Sequence, residues 1–237
     1  MTLPGTPSLV FLAYLFGFLP WAALKSARRL RGAASVPGQA GFPPRIRIWT
    51  GTLVMQGVLL FLTWQVGAGF GFEVFAAHAP APRDLLAAAT ALAACFGLRA
   101  ALRHLRSEEE RRRSILYRLA PRTSRERLVR TVAVLLAGVA EEAAYRGVAF
   151  SILWYALGDP WVAAGLSALA FALAHSVQGW KSGVVVFLIA LVMQGLVAVT
   201  GTLVLAMVVH ALYDLVAGHL IGVEARQLDA EQWSGHR

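Results

Sequence analysis

Apolar residues run in long blocks along this chain, and polar residues gather between them. Seven blocks, at about 8–24, 48–67, 85–102, 128–157, 161–176, 183–199 and 202–221, approach the roughly 20 residues that carry a helix across a bilayer. The fourth is longer than a plain span, since 30 residues rise about 45 Å as a helix, so its basic first turns are expected to stand outside the apolar layer. Thr200, Gly201 and Thr202 alone separate the last two blocks, which predicts a tight helical hairpin. The pattern therefore predicts an all-α, polytopic membrane helical bundle of about seven transmembrane helices. It divides into N-terminal transmembrane helices with basic loops over 1–127, a helical core over 128–221, and a tail over 222–237.

Composition sharpens this reading. The chain of 237 residues is 57% hydrophobic and 15% charged, with a mean hydropathy of +0.60, whereas soluble domains carry about 25% charged residues. Disorder is excluded by the same abundance of apolar side chains. A single cysteine, Cys95, rules out an intrachain disulfide framework.

The net charge of +9 would ordinarily raise a nucleic-acid partner, but the 22 basic residues are not spread evenly. Six lie between Lys25 and Arg47 and eleven between Arg99 and Arg130. Basic clusters alternating with apolar blocks are the signature of membrane topology, because loops rich in Lys and Arg stay on the cytoplasmic side. No nucleic-acid partner is expected, and the lipid bilayer is. Placing both clusters inside gives an external N-terminus and a cytoplasmic C-terminal tail. Residues 1–8 carry no basic side chain, so the first block reads as an N-out helix rather than a cleavable signal peptide.

The loop 103–127 contains Ser107, Glu108, Glu109, Glu110, Arg111, Arg112 and Arg113, with acids preceding bases at helical spacing. Such pairs predict a short surface helix. Its ordinary role is topological, and its functional alternative is contact with anionic lipid. Pro37, Gly38, Gly41, Pro43 and Pro44 mark the 25–47 loop as a flexible connector, and no internal repeat of the transporter kind is evident.

Charge inside the apolar blocks makes the sequence specific. Block four carries Glu141, Glu142 and Arg146 near its middle, block five ends at His175, and block seven holds His210 and Asp214. A charged residue at mid-bilayer opposes insertion by about 2.5 to 3.5 kcal/mol on insertion scales, so these groups should face one another. Residues four apart share a helix face. Glu142 and Arg146 are therefore natural partners, while Glu141 points elsewhere, on the face of Tyr145. His210 and Asp214 share another face.

A desolvated Glu flanked by His can hold and deprotonate a water. A second imidazole with a polar neighbour could hydrogen-bond the oxyanion that water attack on an amide creates. That describes a peptidase without a covalent nucleophile, and no Gly-x-Ser-x-Gly elbow or evident Ser or Cys triad is present. The same residue types would also suit zinc at Glu141, His175 and His210. The His-Glu-x-x-His helix of many zinc peptidases is absent, and metal stays open on residue type alone.

Glu141-Glu142-x-x-x-Arg146, Phe171-x-x-x-His175 and His210-x-x-x-Asp214, in this order on three apolar helices, resemble the CPBP family. This group comprises intramembrane glutamic proteases and includes the CAAX prenyl endopeptidases and the bacteriocin-processing, Abi-type bacterial proteins. The resemblance covers about 128–221 and makes that core the expected catalytic part. It implies that Glu141 and His175 activate water, and that His210 and the residue four later support the oxyanion. Glu142 and Arg146 are the adjoining motif residues. No cofactor is then expected. In the prenyl endopeptidases the last position is typically Asn; here it is Asp214, and an ionised Asp accepts hydrogen bonds where Asn can donate. Asp also occurs there among bacterial relatives, and an orienting role toward His210 is expected. The implied function is an endopeptidase acting on a membrane-associated protein or peptide in a bacterial inner membrane.

Other readings carry weight beside this one. The same fold could serve as a catalytically silent membrane scaffold or a bacteriocin self-immunity protein, and buried Glu and His could relay protons in a transporter. Glu142 with Arg146 reads first as a structural ion pair. Phe171 reads as packing, and packing explains Tyr145 and Tyr213 as well as a catalytic role does. Gln56, Gln65 and Gln194 are polar enough to bridge helices or line a cavity. His78, His104, His219 and His236 fall in loops, at an interface or in the tail. One tension stands out: His175 sits near the inner end of its block while Glu141 and His210 lie near mid-bilayer. A water-filled cavity opening toward the cytoplasm would accommodate that spread in depth.

Overall fold

Helices account for the chain's architecture, as its long apolar blocks demand. The computed structural model describes residues 5–34, 42–76, 78–112 and 114–234, and among these there is no strand. In chain order come α1 (Thr6–Ala13) and α2 (Leu19–Ala34), joined through a π-helical stretch at Tyr14–Phe18, then α3 (Arg45–Phe70) and α4 (Pro82–His104). Two short helices follow, α5 (Glu108–Arg112) and α6 (Ile115–Arg118). Next are α7 (Ser124–Glu141) and α8 (Phe150–Leu157), joined through a π-helix at Glu142–Ala149. After α9 (Pro160–Ala174) and a 3₁₀ turn at Ser176–Gln178, α10 (Trp180–Thr200) and α11 (Leu203–Ser234) complete the bundle.

Every apolar block falls on helix, but among the described residues five stretches are long and apolar enough to cross a membrane: Thr6–Leu30, Arg45–Phe70, Pro82–His104, Trp180–Thr200 and Leu203–Gln227. The count of about seven therefore exceeds what length and apolarity give. The two blocks left over are the fourth and fifth. In the fourth, α7 carries Arg125, Glu126, Arg127, Arg130 and Glu141; in the fifth, α9 has 15 residues. Lys25, Arg28 and Arg29 extend the first span as part of α2, and the connector around Pro37, Gly38 and Gly41 lies outside the described residues. The acidic-basic stretch after Ser107 is the short helix α5, and α11 runs past 221 to Ser234 without a break.

Local chemistry sets the helix ends. Thr123 and Glu126 form a reciprocal capping box that starts α7. The Asp159 side chain accepts from the amides of Trp161 and Val162, and Pro160 opens α9 where no amide is needed. Between α10 and α11, Gly201 has φ +69°, a left-handed conformation that favours glycine, and this closes the hairpin.

The α7 segment is central: α3 and α11 pack on either side of it, while α10 packs on α4 and α9. Close approach depends on small residues, as in membrane bundles generally. Ala140, Ala143, Ala144 and Ala149 are all buried. A Cβ on Gly138 would stand 3.0 Å from Ala211, so the absence of a side chain lets α7 and α11 touch just before the acidic pair. Large apolar side chains such as Phe61, Trp64, Leu169 and Leu173 cover the outside, as a lipid-facing surface requires. Trp161 and Trp180 are the most exposed of these and mark opposite ends of the bundle, where aromatic residues favour the membrane–water boundary.

Candidate active site

The two acids of block four stand at the junction where α7 becomes a π-helix, Glu141 as the last α-helical residue and Glu142 as the first of the wider turn. Such π segments are rare and often accompany functional sites. Glu142 is fully buried, and its Oε1 lies 3.2 Å from Nη1 of Arg146, itself 3% exposed. The i,i+4 partners implied by helical spacing are thus an ion pair across the π stretch. The Arg146 guanidinium also lies over the Phe171 ring, 4.2 Å from its centre, an arrangement favourable for a desolvated cation.

Glu142 makes a second contact. Its Oε1 is 2.7 Å from Nδ1 of His210 on α11. A carboxylate oxygen accepts, so this nitrogen carries the proton and His210 presents Nε2 to the other side. That Nε2 faces Glu141 Oε2 at 3.8 Å and Asp214 Oδ2 at 3.7 Å. The short contact that orients His210 therefore comes from Glu142, and Asp214 faces the opposite ring nitrogen.

His175 is held in a parallel way. It terminates α9 with φ −95° and ψ 9°, a backbone region in which active-site residues are often found. Its Nδ1 donates to the Phe171 carbonyl at 2.8 Å. Nε2 is thereby turned toward Glu141 Oε2, 4.0 Å away. Two imidazoles with their Nδ1 atoms fixed thus aim Nε2 at one carboxylate oxygen. Gaps of 3.8 and 4.0 Å exceed a direct hydrogen bond but suit a single bridging water.

Glu141, His175, His210, Asp214, Glu142 and Arg146 all line one cavity of about 470 Å³. From these residues it extends to Arg103, Arg106, Arg111, Leu116 and Tyr117 in the 103–119 region. The end of α9 and the middle of α11 meet at its wall, which is how side chains at different depths in their helices reach the same acid.

Three residues contribute more than the sequence reading gave them. Gln56 on α3 donates from Nε2 to Glu141 Oε1 at 2.5 Å, fixing the oxygen that faces away from the histidines. Its only signal was being an amide in an apolar helix; Gln65 and Gln194, which shared that signal, are not among the cavity's lining residues. Phe171 supplies the carbonyl that holds His175, and its ring meets His175 at 4.4 Å and His210 at 6.2 Å. Arg130, one of the topological basic residues, donates to the Asp214 carbonyl at 3.0 Å and lines the cavity. Tyr213 also lines it, whereas Tyr145 packs edge-on against Phe171.

Among the described residues, no group of three or more His, Cys, Asp or Glu side chains is arranged to hold a metal ion. Zinc ligands at 2.0–2.1 Å in a tetrahedron stand roughly 3.3 Å apart, less than either Glu141–His distance.

Comparison with curated proteins and with solved structures gives no match. Residues 124–216 match the family model described as Rce1-like, type II CAAX prenyl endopeptidase. With five helices of membrane-spanning length and apolarity among the described residues, the chain is an integral membrane protein, and the segment that carries all three motifs is similar to the CPBP/CAAX protease family.

Proposed function

We propose that the protein is an intramembrane endopeptidase of the glutamic type, hydrolysing a peptide bond of a membrane-associated protein or peptide. The observation that carries this reading is the convergence of Nε2 of His175 and of His210 on Glu141 Oε2. A water bridging Glu141 and His175 is activated by the carboxylate as general base. His175, whose Nδ1 proton is committed to the Phe171 carbonyl, keeps an Nε2 lone pair to orient that water. Attack on the scissile carbonyl places negative charge on its oxygen. His210 Nε2, when protonated, donates to it, and Glu142 behind the ring steadies the charge on the imidazole. The proton taken by Glu141 then passes to the leaving amine. Asp214 faces the same His210 nitrogen and sets whether its proton points toward Asp214 or toward the oxyanion. No step uses a metal.

The basic end of the bundle is assigned to the cytoplasm, the N-terminus to the outside and the C-terminus to the inside, in a bacterial inner membrane. Substrate then reaches the acids through the cavity from the 103–119 side.

The decisive test compares the termini of membrane proteins in cells carrying wild-type protein and Glu141→Gln. New termini present only with the wild type are the expected result; identical termini, with the variant folded and inserted, overturn the mechanism. Stoichiometric zinc in purified active protein, measured by elemental analysis, would replace the metal-free scheme. A partner-binding or immunity effect that survives combined loss of Glu141 and His175 would instead support the silent scaffold.

A further inference from the structure

A second hollow lies beside the catalytic cavity and takes no part in the chemistry above. It is a groove of about 870 Å³ between α2, α9, α10 and the α5–α6 region. Its two ends differ in character. Leu24, Ala27, Leu169, Leu173, Val184 and Phe187 line an apolar wall on the spanning helices, and Leu24, Leu169, Leu173 and Val184 are themselves 45% to 52% exposed. At the basic end its described lining residues include Arg106, Arg118 and Lys181 together with the acid Glu110.

Two hydroxyls at this polar end are left over. Ser114 Oγ and Ser176 Oγ line the groove, are shielded from solvent and have no hydrogen-bond partner among the described residues. Shielded donors without partners are uncommon in folded proteins. The cations beside them are held in place: Arg106 donates to the Gln178 carbonyl and to Ser182 Oγ, and Lys181 to the Leu105 carbonyl and to Glu110. Exposed Trp180 stands next to Lys181 at the same mouth, as expected where a helix leaves the hydrocarbon.

We infer that this groove is a binding site for an anionic phospholipid, with one acyl chain along the α2–α9–α10 wall and the phosphate between Arg106, Lys181, Ser114 and Ser176. Each part of the occupant answers a feature of the site. The chain covers apolar surface, the phosphate oxygens accept from the two unpartnered hydroxyls, and the negative charge meets the surplus of cations. A zwitterionic lipid satisfies the wall but not the charge, and free phosphate satisfies the charge but not the wall. Ser176 directly follows His175, and Arg106, Ile115, Val177 and Gln178 line both hollows. A lipid held here therefore braces the turn that presents His175.

The test uses the full-length protein in detergent and measures lipid retained per protein by native mass spectrometry, so it reads binding without reference to peptidase activity. The probes are dioleoyl phosphatidylglycerol, dioleoyl phosphatidylcholine and inorganic phosphate. Phosphatidylglycerol should be retained at least tenfold more tightly than phosphatidylcholine, and phosphate at lipid concentrations should not displace it. Lys181→Gln should lower that preference about fivefold, the effect of one cation near a headgroup, and Ser114→Ala with Ser176→Ala should lower it further. Val184→Trp, which fills the wall, should weaken both lipids alike. Equal retention of the two lipids overturns the site, as does a phosphatidylglycerol preference unchanged in the Lys181 and serine variants. Displacement by phosphate alone makes it a free-anion site instead. Should a variant fail to fold, phosphatidylglycerol with a diazirine on its acyl chain provides the answer on wild-type protein: labelling on α2, α9 and α10 along the groove supports the site, and labelling spread evenly over the outer helices overturns it.

Discussion

The protein holds two clusters of ionic side chains that each pair Glu with Arg, and they differ in what surrounds them. In the inner cluster Glu142 is 0% exposed and Arg146 3%. In the outer one, at the basic end, Lys181 pairs with Glu110 at 2.9 Å, and Arg103 and Arg111 share Glu224, with Arg103 58% exposed and Glu110 46%. The inner cluster has more carboxylates than permanent cations: Glu141, Glu142 and Asp214 gather around Arg146 and two imidazoles. The outer cluster has the opposite imbalance. Buried acid in excess leaves one carboxylate, Glu141, among a neutral amide and two histidines, the arrangement that the proposed water chemistry uses. Exposed base in excess does no chemistry and leaves cations to meet anionic lipid or set topology. Solvent access and the sign of the imbalance together distinguish the two clusters.

The sharpest way to break this comparison is to alter the two adjacent acids separately. Glu141→Gln keeps a hydrogen-bonding partner for Gln56 and should leave the thermal unfolding midpoint nearly unchanged, while cleavage falls by about 10²- to 10⁴-fold, the usual contribution of a general base. Glu142→Ala should do the reverse in stability. It leaves Arg146 buried without its carboxylate, and breaking such a pair costs about 3–5 kcal/mol, measurable as a large drop in the detergent unfolding midpoint. If both variants lose stability equally, Glu141 is structural and the distinction within the inner cluster fails.

Next in size is the helix contact that assembles the inner cluster. Gly138→Val places a branched side chain where even a Cβ would meet Ala211 at 3.0 Å. The α7–α11 distance must grow, separating Glu141 from His210, and a displacement of about 1 Å at a catalytic group costs on the order of 10²-fold in rate. Activity should fall on that scale while Gly51→Val, at an open site on α3, leaves it intact. Asp214 tests the acid excess more gently. Asp214→Asn removes one negative charge and adds a donor beside His210 Nε2, so cleavage should stay within about tenfold of wild type, whereas Asp214→Ala should fall further. Complete loss in the Asn variant would mean that the carboxylate itself is required.

Much of the inner cluster was legible because intramembrane charge is costly enough to demand a reason. Glu141, Glu142, Arg146, His175, His210 and Asp214 stand out in apolar surroundings, and helical spacing paired Glu142 with Arg146. What spacing within one helix could not supply was contact between helices. That Glu142 rather than Asp214 takes the His210 Nδ1, and that Gln56 and not Gln65 reaches Glu141, depend on how α3, α7 and α11 cross. The π-helix at Glu142–Ala149 has no signature in the periodicity either. Spans were legible by block, but the count was not: α7 gives up apolar length to its charges and α9 is short. The groove beside the site was invisible, since the two hydroxyls without a partner among the described residues come from Ser114 and Ser176, far apart in sequence and unremarkable singly.

The smallest expected effect lies in the outer cluster, and its pH dependence separates it from the inner one. Lys181 and the Ser107 amide hold the Glu110 carboxyl below its ordinary pKa of 4.5. A carboxylate with a depressed folded-state pKa contributes stability that is fully present above the unfolded value and lost as pH falls through the folded one. Wild type should therefore exceed Glu110→Gln slightly in unfolding midpoint at neutral pH, by less in high salt because exposed pairs are screened. The difference should close as the pH drops below 4.5. Measured in parallel, Glu142→Ala should keep its large deficit at high salt, where solvent ions cannot reach the fully buried pair. A Glu110 effect as large and as salt-resistant as that of Glu142 would mean that the basic end is packed like the core, and the contrast between the clusters would have to be drawn on charge sign alone.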